Sequence, residues 1–562
     1  MLPVLLHRET LYLRVLTEVL VKKSWWTKAN DIQITDRWRA ELRVVLRTLI
    51  DEQPQFASPN ENVADNQFID QAIDFLFQEL DFIAKSRLVR VGDHGVISPA
   101  AVHGVFLSDS ILPTSRVENL KSHSAPLEKL ALYKKKWHEG SDGKVLDLVH
   151  PSDFPLVYGR SLQRKNLLCP SGHSVLRYDG IESGDVSKKY QWLPSEFKMG
   201  QDGKVEIASY INNLHRSVHA QLYADISAIF EDILPMFELT MGSFDTEPPV
   251  RMETAMDNAT YQIDQDDYFL TEFILSRYGP DADVKDAKLR HEAQNRLDFD
   301  AFVDDMQDRG EGRPAQLPGM PEIFDPSLHA ASVGKFKLNG KTLQVIVKMA
   351  NIHLTPENPA FNGGSWHLEG MENECIAATG IVYYDLDNIT PSRLTFRNVY
   401  DTDEGSAFQY EQSDFAGLEK AFGFSNEESN NTQISGQIEA QTGRCVVFPN
   451  FLHHRVEDFS LADASKPGHR KILAFFLVHP DHRIYSTRDV GMQQADFLAR
   501  DLYTFAFGKQ LPLEVVRVIA GYCRSTMSEA EAAMHAEELS KERKFTPDDG
   551  YANIQQIFLC EH

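Results

Sequence analysis

Apolar residues from Leu11 to about Lys85 recur at spacings of three and four among polar ones. Leu42, Val45, Leu46 and Leu49 show the period, as do Phe68, Ala72, Phe75 and Leu76, and it predicts amphipathic helices. Residues 86–200 are mixed, with strand-like pieces such as Leu88-Val89-Arg90-Val91 set among Pro and Gly turn signals. A strong apolar helical face returns over 203–243, and Pro235 is expected to interrupt it. Residues 278–320 are charged and then Gly- and Pro-rich, which predicts a solvated excursion.

From about Lys335 the period changes to that of strands. LQVIVKMANIHL, ECIAATGIVYYDL, SRLTFRNVY, CVVFPNFL and KILAFFLVHP are short β-rich runs bounded by Gly, Pro, Asn or Asp. Such spacing predicts a sandwich or barrel, here a jelly roll. The polar stretch from Asp401 to Gly443 is too long for a hairpin turn and reads equally as a lid or a surface insertion. From Gln493 the chain is helical again, with Pro512 near one helix start and a charged amphipathic helix in SEAEAAMHAEELSKERK expected to pack on the outside. The expectation is an α+β protein: a mainly helical region over 1–330, a jelly-roll (double-stranded β-helix) core over 331–492 and a helical tail over 493–562.

Composition narrows the class. At 562 residues the chain exceeds what one core usually supports, and 42% hydrophobic with 25% charged residues is an ordinary globular balance. No apolar run is long enough to span a bilayer, and the start, MLPVLLHRETLYLRVLTEVL, suits an amphipathic helix better than a signal peptide. A net charge of −25 repels a phosphate backbone, and the longest basic run is Lys134-Lys135-Lys136, so neither nucleic acid nor membrane is an expected partner. Five scattered cysteines without a CxxC pair suit reduced thiols in a cytoplasmic protein, which leaves the sequons at Asn258, Asn388 and Asn431 without meaning.

The candidate chemistry lies in Gly363-Gly364-Ser365-Trp366-His367-Leu368-Glu369-Gly370. Side chains alternate along an extended strand, so His367 and Glu369 share a face and can share an ion. Later, CVVFPNFLHHRV delivers His453 and His454 at the end of an apolar strand. Two neutral imidazoles and one carboxylate on one face of a metal leave three positions open, the arrangement by which non-haem Fe(II) oxygenases accept a bidentate co-substrate such as 2-oxoglutarate plus dioxygen. In KPGHRKILAFFL a cation opens the next strand. Arg470 and Lys471 face opposite ways there, and Arg470 is the better partner for the far carboxylate of 2-oxoglutarate because its planar fork pairs bidentately. Each piece alone has a bland reading: an incidental HxE in a chain with 20 histidines, one buried and one surface His, an ion-paired Arg. Their order within one β-rich segment carries the case.

The segments QWLPSEFK, SYINNLH, FNGGSWHLEGMENECIAATGIVYYDLDNIT, FPNFLHHRVEDFSL and KPGHRKILAFFLV resemble a fungal family catalogued as domain of unknown function 4246, over most of the chain. The resemblance implies a catalytic part similar to the double-stranded β-helix of Fe(II)/2-oxoglutarate oxygenases, with metal roles for His367, Glu369 and His454. The HRV continuation, similar to the distal-histidine strand of such enzymes, favours His454 over His453. Keeping Glu369 favours oxygenation or oxidative cyclisation over halogenation, since a halogenase is expected to lose that carboxylate.

Other candidates rank lower. Cys169 and His173 lack a second ligand pair, and His215 and His219, four apart on an expected helix, lack an HExxH glutamate. Thr379, Tyr383 and Thr395 are open candidates for a hydroxyl that assists the arginine, and Asp387, Arg393 and Arg397 for ordinary strand-edge roles. The expected activity is oxidation of a small molecule, an amino acid or natural-product intermediate. The rivals are a protein side-chain hydroxylase or demethylase and a non-catalytic cupin-like metal sensor.

Overall fold

The computed structural model describes residues 3–53, 62–130, 135–163, 186–252, 264–309, 311–312, 319–329, 334–400, 416–425 and 428–543, with 554 and 557. Eight strands position the site: β1 (Val145–Val149), β2 (Thr342–Leu354), β3 (Ile376–Asp387), β4 (Arg393–Val399), β5 (Thr432–Glu439), β6 (Cys445–Pro449), β7 (His453–Val456) and β8 (Gly468–Val478). The centre of an eleven-stranded antiparallel sheet runs β6–β3–β8–β2–β1, and β5–β4–β7 form a separate three-stranded sheet.

β8 pairs with β2 without a register shift, from Leu477 opposite Val345 to Gly468 opposite Leu354. Strict alternation follows. Leu473, Phe475 and Leu477 pack under the helix Ala220–Gly242, where the Phe475 and Phe230 rings lie 5.2 Å apart. Ala474 and Phe476 face the opposite core, shared with Leu394 and Phe396 of β4 and Phe448 of β6. Phe396 and Phe448 meet edge to face at 5.0 Å, tying the two sheets together. A strand buried on both faces reads as a continuous apolar run, which is the pattern of KILAFFLV.

The long helix departs from expectation at both ends of its segment. It starts only at Ala220, so His215 and His219 share no helical face, and His215 Nε2 rests 3.4 Å from Asp501. It also continues through Pro235. A proline inside a helix costs about 3 kcal/mol, which dense burial against the sheet offsets. Gly380 of β3 makes that packing possible, because a Cβ there would lie 2.7 Å from Phe237 Cζ.

The N-terminal helices His7–Leu20, Ile32–Asp51 and Asn62–Ser86 enclose a second core around Trp25, Leu46, Phe75 and Leu76. A buried ionic network pins it: Arg251 reaches Glu79 at 2.6 and 2.9 Å, and Tyr12 donates to Glu79 at 2.5 Å. Among the described residues, the first 330 also contribute short strands, seven of which join the large sheet. Most have two or three residues, too few for a period to show. The expected excursion contains two helices, Ala287–Gln294 and Phe299–Asp308, packed about Phe273. The apolar residues that hold them are few, and the charge around them masks the pattern.

The tail helix Glu529–Glu542 is more deeply engaged than an outer cover, since Ala532 and Leu539 join the core between the sheets. Of the polar 401–443 stretch, residues 401–415 and 426–427 lie outside the described residues, as do Cys169 and His173. Among the described residues no helix is long and apolar enough to cross a membrane.

Candidate metal centre

Gly363 adopts φ +84°, a left-handed conformation open to glycine, and the next residue donates its N–H to Val456 O at 2.8 Å. This lays the GGSWHLE segment along β7. His367 and His454 then form an isolated antiparallel bridge, N–H to O distances 3.1 and 3.0 Å. Directly opposed residues of an antiparallel pair project on the same side, and the two rings lie 4.4 Å apart. Glu369, two residues on, returns to that side. Asn450 fixes it by accepting the Glu369 N–H at 3.0 Å and donating to the Glu369 carbonyl at 2.9 Å.

Backbone carbonyls orient both rings. His367 Nδ1 lies 2.9 Å from Ser365 O, and His454 Nδ1 lies 3.3 Å from Leu452 O. With Nδ1–H donating, each Nε2 keeps its lone pair, and the two Nε2 atoms stand 3.8 and 3.5 Å from Glu369 Oε1. One donor atom from each of the three residues falls within a 4.8 Å group. Desolvation and the neighbouring His454 lower the His367 pKa. Burial alone would raise the Glu369 carboxyl, but the facing His454 ring and the charge of Lys348 outweigh it and hold it at about 2. An ionised carboxylate beside deprotonated imidazole nitrogens is the state metal binding requires, so the donor set fits a divalent transition ion. His454 is buried, whereas the His367 ring is 39% exposed and marks the open side.

His453 projects away from the group, from a position opposite Arg397 on β4. Arg470 sits on the inner face of β8 with Ala474 and Phe476. It is 3% exposed, its guanidinium lies 5.0 Å over the Tyr383 ring, and Nη2 reaches the Tyr383 hydroxyl at 3.4 Å. Its Nε has no hydrogen-bond partner among the described residues. Lys471 faces outward to Glu128 and Asp385, each at 3.2 Å. Of the three candidate hydroxyls, Tyr383 touches Arg470, and Thr379 and Thr395 are buried without a partner among the described residues. Arg397 and Arg455 flank the Trp366 ring at 4.6 Å each.

Two features escaped the sequence reading. Lys348 lies on the inner face of β2, and its charge acts on Glu369, His367 and Asp147 together. The signal was present as the one Lys or Arg in TLQVIVKMANIHL. The second is a polar group of His138, Asp147 and His150, also within 4.8 Å of one another. His138 Nδ1 lies 3.0 Å from Asp147 Oδ2, while His150 Nδ1 accepts the Ser152 N–H at 3.2 Å. That contact puts the proton of a neutral His150 on Nε2, which suits a hydrogen-bond donor better than a metal ligand. Burial holds His150 down at about 3, hence neutral. Its ring lies against Trp192, which stacks on Phe476 at 5.8 Å, so this group borders the inner face of the same sheet.

No curated protein matches the chain. Among solved structures it is similar to IDO from Bacillus thuringiensis, at 12% identity and TM-score 0.16 over 25% of this chain and 46% of that one. It is also similar to the Fe(II)/(alpha)ketoglutarate-dependent dioxygenase TqaL, at 12% identity and TM-score 0.16 over 41% of this chain and 64% of that one. The chain thus spans between about half and just under two thirds of the lengths of these structures. The family comparison is extensive: the model described as Protein of unknown function (DUF4246) matches residues 70–501, and the chain belongs to that family.

Proposed function

We propose that the protein is a non-haem Fe(II)/2-oxoglutarate-dependent oxygenase acting on a small metabolite, with the facing sheets as a double-stranded β-helix. The observation that carries the reading is the convergence of His367, Glu369 and His454 on one side of a two-residue bridge, with a buried arginine on the inner face of the same fold. Those three residues would hold the iron. When bound, the metal supplies the dioxygen chemistry that oxidises 2-oxoglutarate to succinate and carbon dioxide and the substrate with it. The protein's part is positional. Nδ1 contacts fix the rings, Asn450 fixes Glu369, and Arg470 pairs with the far carboxylate, its charge drawn deep by the Tyr383 ring. Phe448, Phe476 and Trp192 keep the surroundings dry. Retention of Glu369 supports hydroxylation or oxidative cyclisation as the outcome.

The test is anaerobic titration of Fe(II)-loaded protein with 2-oxoglutarate, followed by the visible charge-transfer band of the chelate. The band is expected in wild type, absent in His367→Ala, and in Arg470→Ala to need at least tenfold more 2-oxoglutarate. A wild type that binds iron but gives no band would overturn the co-substrate assignment.

A further inference from the structure

On β2, Val345, Val347 and Met349 pack into the core under the long helix, and Ile346 packs into the core between the sheets. Lys348 follows Ile346 by two residues on an unshifted ladder, so it projects from the inner face. A lysine inside an apolar strand needs a partner. Among the described residues Lys348 forms no ion pair within 4.0 Å, although carboxylates of Glu369 and Asp147 both feel its charge.

The register locates it further. Ile346 lies opposite Phe476, Phe476 opposite Thr379, and Thr379 opposite Phe448, whose ring is 4.8 Å from His454. That row adjoins the metal ligands. Lys348 is opposite Ala474, one inward position along, and Ile352 is opposite Arg470, two positions further. The two cations therefore start about 13 Å apart along one inner face at about 3.3 Å per residue, Lys348 near the ligands and Arg470 away from them. A 2-oxo diacid lying along this face has a metal-binding head at the Lys348 end and a free carboxylate at the Arg470 end.

We propose that Lys348 pairs with the head of 2-oxoglutarate, the C1 carboxylate beside the 2-oxo group, while Arg470 takes the far carboxylate. This rests on the co-substrate reading above. An ammonium is a compact point charge with three rotatable donors, suited to a carboxylate whose other oxygen is committed elsewhere, whereas the guanidinium fork suits a carboxylate with both oxygens free.

The assignment makes the two cations separable by ligand. Fe(II)-loaded wild type, Lys348→Met and Arg470→Ala are titrated anaerobically with 2-oxoglutarate and with 2-oxobutanoate, which has the same head and no far carboxylate. Lys348→Met is expected to raise the half-saturating concentration of both acids at least tenfold, and Lys348→Arg to recover part of the loss. Arg470→Ala is expected to weaken 2-oxoglutarate alone. Methionine keeps the length and removes the charge of this half-buried side chain, and retained iron stoichiometry with an unchanged melting temperature shows an intact fold. If Lys348→Met leaves both acids unchanged, or weakens 2-oxoglutarate alone, the head-group role is overturned while the co-substrate reading stands. A missing band in wild type overturns both.

Discussion

His367 and His454 exchange both backbone hydrogen bonds, at 3.1 and 3.0 Å, although 87 positions separate them in the sequence. This bridge, more than either ring's own contacts, sets the distance between the two imidazoles. It depends on the flat approach of Gly363 and Gly364 to Val456, where a Cβ at Gly363 would lie 3.2 Å from the Val456 carbonyl.

Asn450 should matter to metal affinity without touching the metal. Its side chain makes two hydrogen bonds to the Glu369 backbone, at 3.0 and 2.9 Å, and removing both frees the segment that carries the carboxylate. Asn450→Ala is expected to weaken Fe(II) or Co(II) binding roughly 10–100-fold, the usual effect of losing a group that orients a ligand. A metal titration monitored with a competing chelator reads this directly, and an unchanged dissociation constant would refute it.

Much of this geometry was legible in the chain, for reasons that differ by element. HxE and the strand alternation around Arg470 and Lys471 involve neighbours in sequence, so a period of two suffices to sort their faces. Lys348 is a single position in an apolar run, and its meaning appears only when β2 is set against β8. His138, Asp147 and His150 come from a short segment whose place beside β2 is set by pairing across some 200 residues, with a register shift at Met349/Ala350 that no local pattern encodes. The continuous helix through Pro235 was missed because tertiary burial overrides a local penalty.

Tyr383 contributes a ring and a hydroxyl to Arg470, and the two are unequal. The hydroxyl contact is long, at 3.4 Å, while the guanidinium carbon lies 5.0 Å from the ring centroid. Tyr383→Phe should therefore raise the 2-oxoglutarate requirement by only a few-fold, because so long a contact falls short of the roughly 1.5–3 kcal/mol of a well-formed hydrogen bond to a charged group. Tyr383→Leu, which removes the ring as well, should cost more in the same titration.

Gly380 is predicted to tolerate no side chain. A Cβ would meet Phe237 at 2.7 Å in a core with both partners buried, so Gly380→Ala should destabilise by about 1–3 kcal/mol as overpacking does. The midpoint of chemical denaturation should fall, and adding Phe237→Leu should restore part of it. Additive losses in the double variant would contradict the contact.

The Glu79–Arg251 pair predicts an acid-sensitive N-terminal core. Burial alone would raise the Glu79 carboxyl, but the Arg251 guanidinium and His329 outweigh it and hold it well below the ordinary carboxylate range. A depressed folded pKa stabilises fully above the unfolded value of about 4.5 and is lost as pH falls through the folded value. Glu9 shifts the opposite way, raised by burial, so substitution is needed to isolate Glu79. Glu79→Gln is expected to cost about 3–5 kcal/mol near neutral pH, as for breaking one side of a buried pair. The gap in melting temperature between variant and wild type should narrow as the pH is taken below 4.5, and a constant gap would count against the pairing.

The adjacent histidines give the sharpest separation of roles. His454 lies with Glu369 and the Phe448 ring, at 3.5 and 4.8 Å, while His453 stands opposite Arg397, on the side of β4 that carries Arg397 over Trp366. Alternation along β7 makes the two mutually exclusive as ligands to one ion. His454→Ala should abolish tight metal binding and the 2-oxoglutarate band. His453→Ala should keep one equivalent of metal and the band, with at most a lower melting temperature from the space left beside Arg397. Equilibrium dialysis of the two variants against Co(II) decides the matter, since loss of metal in His453→Ala with retention in His454→Ala would reverse the assignment and move the open side of the centre to the other face of the sheet.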